Sequence, residues 1–227
     1  MQAVDDPIVA FCEAHNIPCY RGSTFDVLDR YYQAARSQLA EIVVRITADC
    51  PLIDPGLIDR TLDAFFGRIQ KQDKLIGTRP ASLPVPTRRF PFDFVANRLP
   101  PPFGRTYPIG LDVEVCTFSG LELVWDTAVE PFEREHVMPY FYDQPGRFGV
   151  LLVNHTEDLG HLRWTVDTPQ DLEFVRQVVA RFEGRDDFTW LDVLDLVRRE
   201  PHLSQINAHV QHKTMTDTDA RSANNHR

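Results

Sequence analysis

Two stretches of the chain follow one pattern, in which a short β-branched apolar run ends at an aspartate and a helix start follows. The first is the run at residues 41–47, followed by Asp49 and then by an Asp-Pro pair. The second is the run at residues 163–166, followed by Asp167 and a Thr-Pro pair. Thr168 is a typical N-cap, and proline is favoured at the first helical position. The pattern predicts two strands of an α/β sheet, each with an aspartate at its carboxyl end.

Asp49 and Asp167 fall where open α/β sheets bind ligands, at the carboxyl ends of strands. Two carboxylates there suit a divalent cation that also contacts phosphate oxygens, and Mg²⁺ is the cation expected. We therefore predict both aspartates as catalytic metal ligands. A simple turn cap explains Asp49 equally well when the first stretch is taken alone, because aspartate is common in turns.

Composition narrows the class of protein. The chain has 227 residues, 43% of them hydrophobic, which suits one large domain with its own core. A net charge of −9 argues against a nucleic-acid-binding surface. No apolar run reaches the length of a membrane span, and no signal peptide precedes the first helix. We therefore expect a cytoplasmic protein that binds neither nucleic acid nor membrane.

The cysteines fit a reducing compartment, because no two of them have metal-site spacing; they are Cys12, Cys19, Cys50 and Cys116. Cys50 lies beside Asp49, so it is either a catalytic thiol or a small buried residue. The buried residue is favoured, because no histidine or other base stands at a telling position near Cys50.

Helical and strand patterns alternate along the chain. Strands are predicted at residues 17–21, 41–47, 111–115, 148–153 and 162–166. Helices are predicted to begin near residues 6, 25, 54, 118, 132, 170 and 189. This order implies a mostly parallel sheet flanked by helices.

Several short sequence motifs resemble those of a known family. They are YRGS (20–23), DVLDRYY (26–32), RITADCPLID (45–54), RTYPIGLDVEV (105–115), EREHVMPY (133–140) and HLRWTVDTP (161–169). In this order, over residues 5–211, they closely resemble the spore coat polysaccharide biosynthesis protein SpsF family. That family belongs to the cytidylyltransferases, alongside the acylneuraminate and 3-deoxy-manno-octulosonate enzymes. The resemblance implies a Rossmann-like nucleotide-diphospho-sugar transferase fold.

The resemblance also implies a reaction, in which a sugar acid attacks CTP to give CMP-sugar and pyrophosphate for surface or spore coat polysaccharide. The nucleotide-side candidates are Gly22, Ser23, Asp29 and Arg30. The substrate-side candidates are Tyr107, Gly110, Asp112, Glu114, Glu135, His136 and Arg163. Three alternatives stay open: Arg30 pairs with Asp26 on its own helix, residues 111–115 form a half-exposed strand, and His136 is structural.

One family element has no counterpart here. The family begins with a strand and a triphosphate-binding loop of the form Gln-Ala-Arg-x-Gly-Ser-x-Arg-x-Pro-Gly-Lys, and this sequence enters the pattern after them. We therefore expect a domain at residues 1–200 whose first strand is missing, with poor CTP binding and little turnover. A remnant or pseudoenzyme that binds sugar or a partner is the alternative, and a nucleotidyltransferase for another base is a third.

Three further segments carry expectations. Residues 67–102 are a long Pro-rich loop, an anion-binding lid or a solvated loop, made basic by Arg79, Arg88 and Arg89. Residues 201–227 are expected to be a disordered polar tail. Residues 131–142 have the composition of either a homodimer interface or a core helix.

Overall fold

A computed structural model describes residues 3–78 and 89–210 of the chain. Its described residues group into two compact units. The first comprises residues 3–43 and 117–144, and the second comprises residues 44–78, 89–116 and 145–210.

The fold is mixed α/β, as predicted. Five strands form one sheet in the order β1-β4-β3-β5-β2: β1 is Ile42–Arg45, β2 Lys74–Gly77, β3 Phe94–Ala96, β4 Glu114–Thr117 and β5 Val150–Leu152. The longer helices are α1 Asp6–Ala14, α2 Val27–Ser37, α3 Pro55–Phe65, α4 Phe118–Thr127, α7 Pro169–Arg181 and α8 Trp190–Arg199. Short helices are α5 Pro131–His136, α6 Pro139–Tyr142 and α9 His202–Gln205.

The sheet is only partly parallel, whereas a mostly parallel sheet was expected. Strand β3 pairs with β5 in parallel, but β4 is antiparallel to β3 and β2 is antiparallel to β5. Residues 97–113 join β3 to β4 without a helix. A parallel neighbour would need a longer crossover, usually helical, so this direct return makes the pair antiparallel.

The strand predictions fail at three places. Residues 17–21 are not a strand, and residues 162–166 contribute only an isolated bridge between Ile109 and Arg163. Strand β2 lies inside the Pro-rich segment 67–102 that was expected to be irregular. An apolar run becomes a strand only where a partner strand lies beside it. Local sequence does not predict that pairing, because the partner strand is far along the chain.

The helix starts agree with the local capping signals. The Asp54 carboxylate accepts a hydrogen bond from Leu57 N at 3.0 Å at the start of α3. The Thr168 hydroxyl accepts one from Asp171 N at 3.3 Å at the start of α7, within a capping box. Pro55 and Pro169 stand at the first helical positions.

The helix predicted over residues 132–142 is broken into α5 and α6. Val137 takes a left-handed backbone conformation with a φ of 70°, and Pro139 starts α6. Proline cannot donate the helical hydrogen bond and disfavours helix in the residue before it, so one continuous helix cannot form.

The segment after residue 200 is folded at least as far as residue 210, where a disordered tail was expected. Helix α9 buries Leu203, and Asn207 is buried behind it. Residues 211–227 lie outside the described residues, as do Arg79 and Arg88 of the Pro-rich loop. Within residues 3–78 and 89–210, no helix combines the length and apolarity needed to cross a bilayer.

Asp54 ties two helices together, which gives a stability prediction. Its second oxygen accepts from Trp190 N at 2.9 Å, so one buried carboxylate serves the first turns of α3 and α8. We expect Asp54→Ala to lower the free energy of unfolding by about 2–4 kcal/mol, the sum of a lost cap and an unsatisfied N–H. Urea unfolding measures this.

The matched control is Asp186→Ala, which removes an exposed carboxylate from the same unit. It should change the free energy of unfolding by less than about 0.5 kcal/mol. Equal losses of free energy of unfolding in both variants would show that Asp54 does not stabilise the starts of α3 and α8.

Candidate functional site

Asp49 lies in a tight turn that follows β1. Cys50 N donates to Thr47 O at 3.1 Å, and the Thr47 hydroxyl donates to Oδ1 of Asp49. The Cys50 thiol also reaches this Oδ1, at 3.5 Å. Oδ2 of Asp49 accepts no hydrogen bond from any residue that the structure describes, so one carboxylate oxygen is available to a ligand.

Asp49 and Asp167 are brought together by their backbones. The carbonyl oxygen of Asp49 accepts from Val166 N at 2.8 Å and from the Thr165 hydroxyl at 3.1 Å. Asp167 is the next residue along. Residues far apart in sequence therefore meet in the second unit, as the hypothesis of a shared cation requires.

Asp167 is held by Arg163, which lies four residues earlier in the sequence. Nη2 of Arg163 donates to Oδ2 of Asp167 at 2.7 Å, and the Asp167 side chain is 40% exposed. Oδ1 of Asp167 has no hydrogen-bond partner in the described part of the chain. Asp167 thus resembles Asp49, with one oxygen fixed by the protein and one open.

Asp171 is the buried centre of this region. It accepts from Arg163 through Nε and Nη2, each at 2.8 Å, and from Asn207 Nδ2 at 2.8 Å. It also accepts from the backbone N–H groups of Asp167 and Thr168 at 3.1 and 3.0 Å, and from the Thr168 hydroxyl at 2.9 Å. Its side chain is fully buried.

These contacts fix the charge state of the Arg163–Asp171 pair. Burial alone would raise the pKa of Asp171, but the hydrogen bonds from Arg163, Asn207 and the start of α7 lower that pKa well below its usual value. The hydrogen bond to Asp171 in turn raises the pKa of Arg163. Arg163, predicted as a substrate contact, is 7% exposed and acts here as a positioning residue for Asp167.

Gly110 lets the loop at residues 105–112 lie directly on residues 162–165. Its φ is +100°, and a Cβ there would stand 2.4 Å from Thr165 N. Ile109 N donates to Leu162 O at 2.8 Å, and Trp164 N donates back to Ile109 O at 2.7 Å. Gly110, predicted as substrate-binding, is thus required by a close backbone approach.

Asp112 is placed by the same loop. Arg105 donates to both of its carboxylate oxygens, at 3.0 and 3.1 Å, and Arg98 Nε stands 4.0 Å away. Burial is the main cause that lowers the pKa of Arg105. This half-buried cluster carries two positive charges against one negative charge, which suits an anionic ligand group.

The remaining substrate-side candidates of this unit have internal partners. Glu114 is buried and pairs with Arg45. Tyr107 is 5% exposed, and its ring centroid lies 5.6 Å from that of Trp190 and 5.5 Å from that of His155. Burial raises the pKa of Tyr107. Glu114 is therefore committed to the protein.

The nucleotide-side candidates lie in the first unit. Ser23 Oγ accepts from the N–H groups of Phe25 and Asp26, at 3.3 and 3.2 Å, before α2. The Asp29 carboxylate accepts from Trp125 Nε1 at 2.9 Å and from Gln33 at 3.1 Å. Glu135 and His136 lie on α5 in this unit. Asp29 is thus occupied by structural contacts.

The alternative pairing of Arg30 with Asp26 does not occur. Asp26 accepts instead from Arg134, with Nη2 at 2.7 Å. Arg30 packs against Gly22, where a Cβ would approach Arg30 Cγ to 2.8 Å. Nε of Arg30 is buried and has no hydrogen-bond partner among the described residues.

Sequence reasoning missed Asp171, Asn207 and Arg105 as parts of the site. The Thr-x-x-Asp capping box at the start of α7 was a usable signal for Asp171. Nothing local marks Asn207, whose partners Arg163 and Asp171 are distant in sequence.

The donor set fits Mg²⁺. Across residues 3–78 and 89–210, no three His, Cys, Asp or Glu residues form a group that could hold a metal ion. Mg²⁺ at nucleotide sites, however, is usually held by one or two carboxylates, with phosphates and water filling its other positions. Asp49 and Asp167 supply those two carboxylates, each with an oxygen that has no hydrogen bond within the described residues.

The comparisons with known proteins identify the family of this chain. The model of the family described as cytidylyltransferase matches residues 1–192. The chain belongs to the cytidylyltransferase family. This is a family of nucleotidyltransferases, so the family resemblance read from the sequence is confirmed.

Individual relatives of this cytidylyltransferase-family chain are distant. An uncharacterized protein of Methanocaldococcus jannaschii is 29% identical, over 95% of this chain and 77% of its own length. The spore coat polysaccharide biosynthesis protein SpsF of Bacillus subtilis is 24% identical, over 87% of this chain and 71% of its own. A solved cytidylyltransferase structure from Leptospira borgpetersenii has a TM-score of 0.74 and 27% identity, and the match covers 94% of this chain and 77% of that one.

The buried ion pair of Asp171 with Arg163 gives a second prediction. Asp171→Asn keeps the shape but leaves Arg163 buried without its counter-charge, so the free energy of unfolding at pH 7 should fall by about 3–5 kcal/mol. Because the pKa of Asp171 is lower when folded, its contribution is present above about pH 4 and is lost as pH falls through the folded pKa. Urea unfolding at pH 7 and pH 3 measures both effects.

Asp187→Asn is the control, since it breaks the exposed pair with Arg185. It should change the free energy of unfolding by less than about 1 kcal/mol. The role of Asp171 would be contradicted if wild type and Asp171→Asn differed little in free energy of unfolding at pH 7. A difference that is larger at pH 3 than at pH 7 would contradict it as well.

Cys50 should be chemically inert in the folded protein. Burial raises its pKa to about 12, so at pH 8 only about one molecule in ten thousand carries the thiolate. We expect iodoacetamide to modify the exposed Cys19 but not Cys50 until the protein is unfolded, as read by peptide mass spectrometry. Rapid alkylation of Cys50 in the native state would reopen the catalytic-thiol alternative.

Proposed function

We propose that this chain activates a sugar acid with CTP, giving CMP-sugar and pyrophosphate for polysaccharide biosynthesis. The observation that carries the proposal is the meeting of Asp49 and Asp167 through the hydrogen bonds from Val166 and Thr165 to the Asp49 carbonyl. Membership of the cytidylyltransferase family supports the choice of CTP, and the SpsF relative supports polysaccharide as the destination.

The reaction needs alignment and charge neutralisation more than a protein nucleophile. A sugar hydroxyl oxygen forms a bond to the α-phosphorus of CTP, and the bond from that phosphorus to the pyrophosphate oxygen breaks. Preorganised cationic groups and a correctly placed hydroxyl supply most of the acceleration in such transfers. The Cys50 thiol, whose pKa is raised by burial, is consistent with a direct displacement that uses no protein nucleophile.

Asp49 and Asp167 would hold Mg²⁺ in this proposal. When bound, Mg²⁺ neutralises charge on the phosphate oxygens. Arg163 contributes by fixing one oxygen of Asp167, and the buried Asp171 fixes Arg163 in turn. The open oxygens of the two aspartates then face a ligand without first breaking a protein hydrogen bond.

Each unit carries its own candidate contacts. On the first unit, Gly22, Ser23 and Arg30 are the nucleotide-side candidates, supported by the buried Arg30 Nε, which has no hydrogen-bond partner in the described part of the chain. On the second unit, the cluster of Asp112, Arg105 and Arg98 is the place where a sugar carboxylate would find net positive charge.

A second candidate is a sugar-binding module without turnover. The observation that favours it is the cluster of Asp112, Arg105 and Arg98, whose net positive charge suits a sugar carboxylate without any nucleotide. Such a module would keep the sugar-side residues in use and would not need CTP.

The test is pyrophosphate release from CTP and Mg²⁺ with a panel of sugar acids, with UTP and GTP as competing nucleotides. We expect CTP to be preferred, and Asp49→Asn and Asp167→Asn each to lower kcat/KM by about 100-fold or more. Asp186→Asn, an exposed change, is the control and should leave kcat/KM unaltered.

The outcomes separate the candidates. Wild-type turnover in Asp49→Asn or Asp167→Asn would overturn the assignment of the two aspartates. No pyrophosphate release from any nucleotide, together with sugar-acid binding detected by calorimetry, would favour the binding module.

A further inference from the structure

Cys12 and Cys19 lie on two consecutive segments that a reversal of the chain after α1 brings together. Asn16 has a φ of 55°, and Ile17 N donates to Cys12 O at 2.8 Å, a hydrogen-bond pattern that ends a helix and turns the chain back. The residues that follow therefore start next to Cys12.

The returning segment then runs along α1. The segment is anchored to α1 at Ile17, whose N–H contacts Cys12 O, and again where Arg21 Nη1 pairs with Oδ1 of Asp6 at 2.7 Å. Cys19 falls between these two anchor points, two residues after Ile17, and burial followed by the neighbouring Cys19 thiol raises the pKa of Cys12. Cys12 is half-buried and Cys19 is exposed, so reagents in solution can reach the pair.

We propose that Cys12 and Cys19 form an oxidisable dithiol, a modification site that exchanges with low-molecular-weight disulfides. The pair lies outside the groups used in the proposed function and does not depend on it. A metal site does not explain the pair, because the described residues contain no group of three potential ligands. The buried Cys50 and Cys116 belong to a different class of thiol.

The exchange balances with a small disulfide such as oxidised glutathione as the oxidant. The Cys19 thiolate attacks one sulfur of that disulfide, which releases one small thiol and leaves a mixed disulfide on Cys19. The Cys12 thiolate then attacks the Cys19 sulfur and releases the second small thiol. Two thiols of the protein become one disulfide, and the small disulfide is reduced to two thiols.

The product would cross-link the segment at residues 17–21 to α1. This segment leads directly into Gly22 and Ser23, so oxidation would restrict the motion of the backbone that precedes these two residues. In the reduced protein, the Arg21–Asp6 pair and the turn at Asn16 hold the segment.

The experiment equilibrates the folded protein with a series of reduced and oxidised glutathione ratios, followed by acid quench, alkylation and peptide mass spectrometry. We expect a peptide cross-linked through Cys12 and Cys19, with an equilibrium constant about tenfold or more above that of the chain unfolded in guanidinium. Equal constants in the two states, or glutathione left on Cys19 without closure, would overturn the proposal.

Two variants and a second probe sharpen the test. Cys12→Ser should stop at the glutathione adduct on Cys19, whereas Cys116→Ser should oxidise like the wild type. Phenylarsine oxide, which bridges neighbouring thiols, should bind the wild type as one equivalent and should not bind Cys12→Ser or Cys19→Ser. Retained binding to either of those variants would contradict the pairing.

Discussion

The buried carboxylate of Asp171 is the constraint on which the second unit depends. A charge without solvent must be paired and hydrogen-bonded, and Asp171 meets this requirement with Arg163, Asn207 and the first turn of α7. Each of those contacts fixes something else: Arg163 holds Asp167, the helix start orients the residues after Val166, and Asn207 holds the segment after α8. One ionised group therefore connects a helix cap, a candidate catalytic residue and the end of the described chain.

Local signals predicted what local physics decides. The starts of α3 and α7 follow from Asp54 and Thr168, because an N-cap and a following proline act within one turn. The structure differs from the prediction in the antiparallel pairings, in strand β2 and in the absence of a strand at residues 17–21. Each of these depends on partners far along the chain, so local sequence did not predict them. The break at Val137 was readable from Pro139, because a proline disfavours helix in the residues before it.

The candidate site divides in the same way. The expected strand-end position of Asp49 and Asp167 rested on sequence pattern, and the structure adds the hydrogen bonds that bring them together. Gly110, Glu114 and Arg163, predicted as substrate contacts, prove to be committed to backbone approach, a buried ion pair and the positioning of Asp167. A motif marks residues that a site needs, without separating those that touch a ligand from those that build the site.

The central claim is that Asp49 and Asp167 act on one cation. Its most direct test is binding of Mn²⁺, a spectroscopic substitute for Mg²⁺, in the presence of CTP to the wild type, Asp49→Asn, Asp167→Asn and the double variant, followed by electron paramagnetic resonance. Because residues that share a ligand are energetically coupled, the double variant should lose little more affinity than either single variant. Losses that simply add, or single variants that bind Mn²⁺ as the wild type does, would contradict a shared site.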